Sequence, residues 1–418
     1  MKTDEIQDFE KEIKEPEIEK IISKDDIEGE YEIDPEIEDE IEEKLEESEI
    51  KEIDLDLKNN PYHYIRSFYE EMLPFIGSRV WSVLSFLPIS LIMPKIMINN
   101  RPIRIHINLL WLSPSGYGKS VTAREFSKIT YSPLITKKMT TPRLVKELEK
   151  NKMTSLIIED VSVWFMDEEK IKFLEGATGE EETISHETMR NIKKGTNRHV
   201  DVISFCSGTA ENITNQKVKT GILRRFSPLI IYLSLEEHRK VIEFINKGVG
   251  ETKEIKSFEP ISNFYKELKN IQDGYNKEIS PIEGYIIPES IKKEANEFFL
   301  PLILNLHKKY RLSMATETEQ MWRFCCCHAF LNIFKKKQLG LIQNNQIVID
   351  NHDLEVAKRL IAREISSKSI IMQCIENIDY FNIKTREQLI EWEEKRRKSG
   401  KKEIPKEAKF IFSSNVKN

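Results

Sequence analysis

Cysteine is scarce in this chain and is not arranged to bind metal. The 418 residues include five cysteines, three of them adjacent at Cys325, Cys326 and Cys327. None forms a Cys-x-x-Cys pair or lies at a spacing to histidine that suits zinc, and adjacent cysteines usually pack as small apolar side chains. The charged N-terminus does not resemble a signal peptide. We therefore expect a reducing, cytoplasmic environment.

Long apolar runs are also lacking. The longest, residues 80–93, contains three serines and Pro88, and it is shorter than the roughly 20 residues that a membrane-spanning helix requires. We therefore expect no membrane association. Instead, the run predicts a buried helix that covers one face of a sheet.

Charge is distributed unevenly along the chain. Residues 1–60 contain 26 of the 70 acidic residues but only 8 of the 64 basic ones, so residues 61–418 carry a net charge of +12. The acidic segment also has almost no aromatic side chains, which predicts a disordered tail over residues 1–58. A basic body fits a polyanionic partner, with the tail competing for the same surface. A solvated tail without a regulatory role explains the composition equally well.

Short apolar runs alternate with helical patterns in the first half of the chain. They are typical of strands and occur at residues 105–112, 155–158, 200–206 and 229–233. Strands separated by helices predict an α/β fold with a parallel sheet.

Beyond Pro260 the pattern becomes helical. The helices are expected over residues 264–273, 288–310, 316–337 and 353–378. The sequence thus predicts four regions with different compositions and patterns. They are an acidic tail (1–58), a sheet-containing core (59–250), a helical domain (251–378) and a basic C-terminal tail (379–418).

A glycine-containing loop joins the first predicted strand to a helix. Backbone N–H groups in such a loop, together with the N-terminus of the following helix, converge on phosphate oxygens. We expect Lys119 to neutralise the β and γ phosphates of ATP and the Ser120 hydroxyl to hold Mg²⁺. Ser113 stands where the usual pattern has glycine. The candidate ATP contacts are Ser113, Pro114, Ser115, Gly116, Tyr117, Gly118, Lys119, Ser120 and Val121.

Two acidic residues, Glu159 and Asp160, directly follow the second predicted strand. ATP hydrolysis requires one carboxylate near Mg²⁺ and another that orients or deprotonates the attacking water, at the exit of the strand next to the loop strand. We assign Glu159 to the metal and Asp160 to the water. The commoner order is Asp then Glu, so the swapped assignment stays open, as does simple capping of the next helix.

Three further groups of polar residues are candidates for catalysis. Thr209, after the third strand, is the preferred contact for the γ-phosphate or the water, although turn chemistry explains it equally well. Arg224 and Arg225 precede the fourth strand, where an arginine can reach the γ-phosphate held by a neighbouring subunit. The alternative for them is a surface ion pair. Arg323 either contacts the same phosphate from the helical domain or forms a buried ion pair.

A basic segment, residues 183–199, lies between the acidic pair and the third strand. Two short strands around a turn at residues 194–197 would form a hairpin suited to a nucleic-acid backbone. A solvated edge explains the charge equally well. The candidate DNA contacts are Arg190, Lys193, Lys194 and Arg198.

Five segments together resemble the AAA+ ATPase core of replicative helicases from plasmids, viruses and integrated elements. They read SPSGYGKS, TTPRLVKELE, LIIEDVSVWF, ISFCSGTAENI and GILRRF. The pattern is most similar to the AAA+ domain attached to phage and plasmid primases, with the MCM helicases as relatives. The resemblance covers about residues 62–370. It departs from the family pattern in Ser113 and in the order of the two acids.

The resemblance implies a P-loop AAA+ sheet core with a C-terminal helical lid. It also implies ATP-driven translocation on DNA by a ring, a hexamer, with the 183–199 hairpin facing the pore and replication proteins as further partners. Two alternatives remain at this stage. One is an AAA+ ATPase that loads or remodels protein partners, and the other is a nucleotide-binding scaffold that hydrolyses ATP slowly.

Overall fold

The part of the chain that the structure describes begins inside the predicted acidic tail. The chain divides into two units, residues 1–52 and 53–418, and every residue described here belongs to the second. Residues 55–59 are helical, and Leu57 is buried in the core. The computed structural model describes residues 55–72, 77–114, 116–131, 133–136, 139–144, 147, 155–178, 183–186, 196–199, 203–208, 225–231, 234–249, 257–310, 314–376 and several positions between 390 and 399.

Strands and helices alternate before residue 250, and helices predominate after it. The described strands are β1 (Ile96–Ile98), β2 (Arg101–Ile103), β3 (Leu109–Leu112), β4 (Pro133–Thr136), β5 (Ser155–Ile158), β6 (Thr183–His186), β7 (Thr196–His199), β8 (Ile203–Gly208), β9 (Ser227–Ile230), β10 (Gly284–Ile286), β11 (Ile342–Gln343) and β12 (Gln346–Val348). The described helices are α1 (Pro61–Met72), α2 (Gly77–Leu84), α3 (Lys119–Ser127), α4 (Glu168–Ala177), α5 (Leu235–Gly248), α6 (Glu259–Gln272), α7 (Glu289–Tyr310), α8 (Met314–Leu331), α9 (Ile333–Gln338) and α10 (Asn351–Glu376).

The apolar run 80–93 is buried, as expected, but it is not one helix. Helix α2 ends at Leu84, and turns continue the chain to residue 92. The Ser85 hydroxyl donates to the Ser82 carbonyl at 3.0 Å and the Ser90 hydroxyl to the Leu87 carbonyl at 2.9 Å. Such side-chain bonds compete with helical backbone bonds, and Pro88 restricts the residue before it. No helix among the described residues is long and apolar enough to cross a bilayer.

Five parallel strands form the central sheet, in the order β4-β5-β8-β3-β9. This confirms the α/β fold class. All four residues of β3 are buried, as expected for a strand with neighbours on both sides and covered faces. Proline occurs only where the ladder tolerates it: Pro133 begins one edge strand, and Pro228 lies in the other.

The strand that precedes the acidic pair is not the neighbour of the loop strand. β8 lies between β5 and β3, so the predicted adjacency is wrong. β8 itself ends two residues later than predicted, at Gly208, because Gly208 pairs with Leu112 of β3. The order arises because the chain visits β4 and β5 before it returns beside β3.

The helical half of the chain, which contains α6 to α10, covers the β9 edge of this sheet. The Ser367 hydroxyl of α10 accepts the Ile230 N–H of β9 at 3.2 Å, which satisfies a donor on the exposed side of the edge strand. Nearby, the Lys368 ammonium contacts Glu364 at 2.6 Å and Glu317 of α8 at 3.0 Å, with all three side chains buried. Residues 53–418 form one compact unit, and the predicted boundary at residue 250 stays a prediction.

The helix predicted over residues 316–337 is broken at Asn332. Its backbone leaves the helical region there, and its side-chain amide donates to the His328 carbonyl at 2.8 Å. The same carbonyl also accepts the Asn332 N–H at 3.1 Å, so the side-chain bond adds to the backbone bond at the point where the helix ends. Cys325, Cys326 and Cys327 are fully buried in α8, where burial raises the pKa of each thiol, so they pack as the small apolar residues that were expected.

The close approach of β8 to the segment after the acidic pair can be tested at Gly208. A Cβ there would lie 3.0 Å from Val161 Cγ1 and 3.1 Å from Ser162 Oγ, both in buried residues. We expect Gly208→Ala to lower the free energy of unfolding by about 1–3 kcal/mol, measured by urea denaturation. Gly248→Ala is the control, since nothing lies within 4 Å of its Cβ, and it should leave stability unchanged or higher. Equal stability of both variants would contradict this close contact.

Candidate functional site

The ends of three strands lie together at the carboxyl edge of the central sheet. β3, β5 and β8 are parallel, and Leu112 pairs with Gly208 as Ile158 pairs with Cys206, so the ends of the strands lie close together. β3 has β8 on one side and β9 on the other, although β4 follows it in the chain. Open α/β sheets bind ligands at the carboxyl edge where the strand order reverses in this way.

The loop from Ser113 to Gly118 turns sharply into α3. Gly116 and Gly118 have φ angles of 83° and 76°, in the left-handed region that glycine adopts without strain. The φ angle of Ser113 is not in this left-handed region, so serine fits where the usual pattern has glycine. The Ser113 N–H donates to the Gly208 carbonyl at 3.2 Å. Ser115 lies outside the described residues. The two glycines leave the backbone exposed at the start of α3, as phosphate binding requires.

Lys119 is the first residue of α3, and its side chain folds back onto this loop. Its ammonium donates to the carbonyls of Ser113 and Pro114, both at 2.7 Å, and to the Ser113 hydroxyl at 3.3 Å. Burial lowers the pKa of Lys119 to about 8, and the negative charge of Asp160 opposes part of this shift. Among the described residues, its hydrogen-bond partners are carbonyl and hydroxyl oxygens, and a phosphate oxygen would be a stronger acceptor.

Ser120 and Val121 follow in the first turn of α3, and both are half-buried. Among the described residues, no group of three or more His, Cys, Asp or Glu side chains is arranged to hold a metal ion. Mg²⁺ does not require such a group, because it commonly binds one or two protein ligands together with substrate phosphates and water. The Ser120 hydroxyl and the two carboxylates are oxygen ligands of the kind that Mg²⁺ accepts.

The acidic pair faces this loop from the end of β5. The Glu159 N–H donates to the Thr136 carbonyl at 3.2 Å, and the Glu159 carbonyl accepts the Ser207 hydroxyl at 2.5 Å. Glu159 is half-buried, whereas Asp160 is exposed and accepts the Ser162 N–H at 3.0 Å. Neither acid is the N-cap of α4, which is Asp167, so the capping alternative does not hold for this helix.

Thr209 lies outside the described residues, and so does Arg224. Arg225 is described, and its guanidinium lies 3.6 Å from the Glu175 carboxylate of α4. It precedes β9, at the amino edge of the sheet. A four-residue strand is about 13 Å long, so Arg225 lies far from the loop of its own chain. Within one chain, Arg225 therefore forms a surface ion pair, which was the alternative to a role at the γ-phosphate.

The structure does not bring Arg323 to the loop. Its guanidinium donates to the Arg104 carbonyl at 3.1 Å and to Gln320 at 3.2 Å, and Gln320 in turn donates to the Ser227 hydroxyl at 2.9 Å. Arg104 precedes β3 and Ser227 begins β9, so these contacts lie at the amino edge. Arg323 also lies 4.0 Å from Glu319, which agrees with its alternative role in a buried polar cluster.

A hairpin occurs where the basic segment predicts one. β6 and β7 pair antiparallel, from Thr183↔His199 to His186↔Thr196, as a two-stranded sheet of their own. Residues 196 and 197 belong to β7, so the predicted turn at 194–197 is wrong and the connection lies before it. Arg198 is in β7, but its side chain is outside the described part, as are Arg190, Lys193 and Lys194.

One contact at the loop has no signal in the sequence. The Tyr117 hydroxyl lies 3.2 Å from His238 Nε2 of α5, and the two rings meet edge to face with centroids 5.3 Å apart. Tyr117 is buried although it lies between two glycines. More than one hundred residues separate the partners, and no periodicity or motif connects them.

The lowered pKa of Lys119 predicts a pH-dependent affinity for ATP. Phosphate oxygens bind the ammonium form, so the affinity should fall as the pH rises through about 8. We expect the Kd for ATP–Mg²⁺ to increase by up to about tenfold per pH unit above this value, measured by calorimetry at several pH values. Lys119→Ala should bind weakly with a Kd that does not follow the same profile. A wild-type Kd that is constant up to pH 9.5 would contradict the prediction.

These geometric observations stand without support from relatives. Comparison of the chain with protein-family models and with curated protein sequences found no match. The assignment of the site therefore rests on the loop, the acidic pair and the order of the strands.

Proposed function

We propose that this chain is a Mg²⁺-dependent ATPase whose loop between β3 and α3 holds the triphosphate. One observation carries the proposal: a loop with two left-handed glycines follows β3, and Lys119, the first residue of α3, bonds back to the Ser113 and Pro114 carbonyls. A helix N-terminus and a lysine at this point of a parallel sheet are the two features that bind a phosphate chain. The nearby carboxylates of Glu159 and Asp160 add the groups that hydrolysis needs.

The roles of the residues follow from their positions. The backbone N–H groups of Gly116 to Ser120 surround the phosphates, and Lys119 exchanges its carbonyl partners for phosphate oxygens. The Ser120 hydroxyl and Glu159 hold Mg²⁺, which withdraws charge from the β and γ phosphates when bound. The exposed carboxylate of Asp160, whose charge acts on Lys119, orients the attacking water and accepts its proton.

We further propose that the chain has a P-loop AAA+ core with a C-terminal helical lid and works as a ring, a hexamer, that translocates on DNA. The resemblance in five segments supports this, as do the basic body and the separate β6–β7 hairpin. In the ring, Arg224 or Arg225 would serve the site of a neighbouring subunit. Arg225 would have to leave Glu175, and such half-exposed pairs contribute only about 0–1 kcal/mol.

The proposed roles of the acids predict two different defects. Asp160→Asn should lower kcat by about 10²–10⁴-fold and leave the Kd for ATP–Mg²⁺ within a few fold of wild type, since it removes the base and not the phosphate contacts. Glu159→Gln should raise the Mg²⁺ concentration that gives half-maximal turnover. Steady-state ATPase assays with a Mg²⁺ titration measure both. The opposite pattern would exchange the two roles, and full activity of both variants would refute a catalytic acidic pair.

The translocase proposal predicts that single-stranded DNA stimulates ATP turnover and that the hairpin binds it. Combined replacement of Lys193, Lys194 and Arg198 by alanine should weaken DNA binding. The plot of the logarithm of the DNA-binding constant against the logarithm of the salt concentration should also become less steep, by about one for each phosphate that the variant no longer neutralises. The control replaces three exposed lysines of the helical half by alanine. They are Lys292, Lys335 and Lys337.

The control variant has the same net charge as the hairpin variant, so it separates a local effect from a general decrease in positive charge. An equal slope for wild type and both variants would exclude the hairpin as a DNA-binding element. Turnover that DNA does not change would favour an ATPase that acts on protein partners.

A further inference from the structure

Helix α5 adjoins the loop and is exposed along its length. None of its fourteen residues is buried, and Leu235, Ile242 and Ile245 are each more than half exposed. Its N-terminus is well formed, with a capping box between Ser234 and Glu237. The helix is therefore stable locally, while its attachment gains little from apolar burial.

His238 provides a specific link between α5 and the loop. It lies in the first turn of α5, and its imidazole bonds to the Tyr117 hydroxyl and packs against the edge of the ring. Tyr117 is only 6% exposed, so this loop residue is anchored by its side chain. His238 is half-buried and can leave the contact without opening the core.

The position of Tyr117 makes this anchor important for the loop. It lies between Gly116 and Gly118, and glycine at positive φ restricts the backbone least of all residues. Lys119 stabilises the loop through the carbonyls of Ser113 and Pro114, which precede Gly116. The segment between the glycines is therefore fixed by the Tyr117 side chain rather than by backbone preference.

We propose that His238 is a positioning residue for ATP binding: through Tyr117 it holds the loop in the conformation that binds phosphate, and the bound nucleotide in turn fastens α5 to the loop. This rests on the proposed ATP site. The effect of nucleotide on α5 follows from the effect of His238 on the loop, because coupling is reciprocal. If the contact between His238 and Tyr117 increases the affinity for nucleotide by some factor, bound nucleotide stabilises that contact by the same factor. The attachment of α5 then depends on whether the loop holds nucleotide, and a partner that contacts the exposed face of α5 would respond to this difference.

The coupling can be measured with single and double variants of the full-length chain. Tyr117→Phe keeps the ring and removes the hydroxyl, and His238→Ala removes its partner. Each should raise the Kd for ATP–Mg²⁺ by about 3- to 10-fold, the range expected for one hydrogen bond. The double variant should bind about as weakly as either single one, because both remove the same interaction. His238→Gln, which can still bond to the hydroxyl, should recover most of the affinity.

A second readout separates positioning from a merely structural role. In wild type, ATP–Mg²⁺ should slow amide hydrogen exchange in residues 235–248, whereas in His238→Ala this protection should disappear even at saturating nucleotide. Arg239→Ala is the control, since Arg239 is the next residue of α5 and forms only an exposed pair with Glu243. It should change neither the Kd nor the protection.

The outcomes distinguish this inference from the proposed function. If wild type binds no ATP–Mg²⁺, the proposed function fails. If wild type binds and the Kd of both single variants is unchanged, or if their effects add in the double variant, the positioning role of His238 is refuted while the ATP site stands. A loss of affinity in His238→Ala but not in Tyr117→Phe would also refute it, because His238 would then act without Tyr117.

Discussion

The parallel ladder between β3 and β8 is the constraint on which the candidate site depends. Leu112 pairs with Gly208, the Ser113 N–H bonds to the Gly208 carbonyl, and the Val161 N–H bonds to the Ser207 carbonyl at 2.7 Å. These main-chain bonds bring the loop and the acidic segment to one edge of the sheet. They are buried, and buried backbone bonds are costly to break. The ladder therefore sets the distance between Lys119 and the two carboxylates more firmly than any side chain does.

The groups at this edge are held much less firmly than the strands. Lys119 is desolvated and bonded to carbonyls, the Tyr117 hydroxyl contacts the His238 imidazole, and α5 buries none of its residues. A ligand with several negative oxygens would find a cation and backbone donors already in place. Rigid strands that present loosely attached groups suit a site in which nucleotide binding is passed on to another element.

Helices α8, α9 and α10 are held together by buried charges. Lys368 joins two buried carboxylates of α8 and α10, and Lys336 contacts Asp353 at 2.5 Å beside the His328 imidazole. Buried ions favour one arrangement of the helices, because any other leaves a charge without its partner. Arg323 also lies in α8. This side chain, which was expected to contact phosphate, instead joins α8 to Arg104, between β2 and β3.

The sequence by itself determined the α/β class, the strand–loop–helix around Lys119, the acids after β5 and the burial of residues 80–93, because these follow from local periodicity, glycine chemistry and apolar content. Only the tertiary structure decided that β8 lies between β3 and β5, that Arg225 and Arg323 lie at the amino edge, and that His238 meets Tyr117. Strand order and contacts between distant residues depend on how the whole chain packs. Local sequence does not encode them.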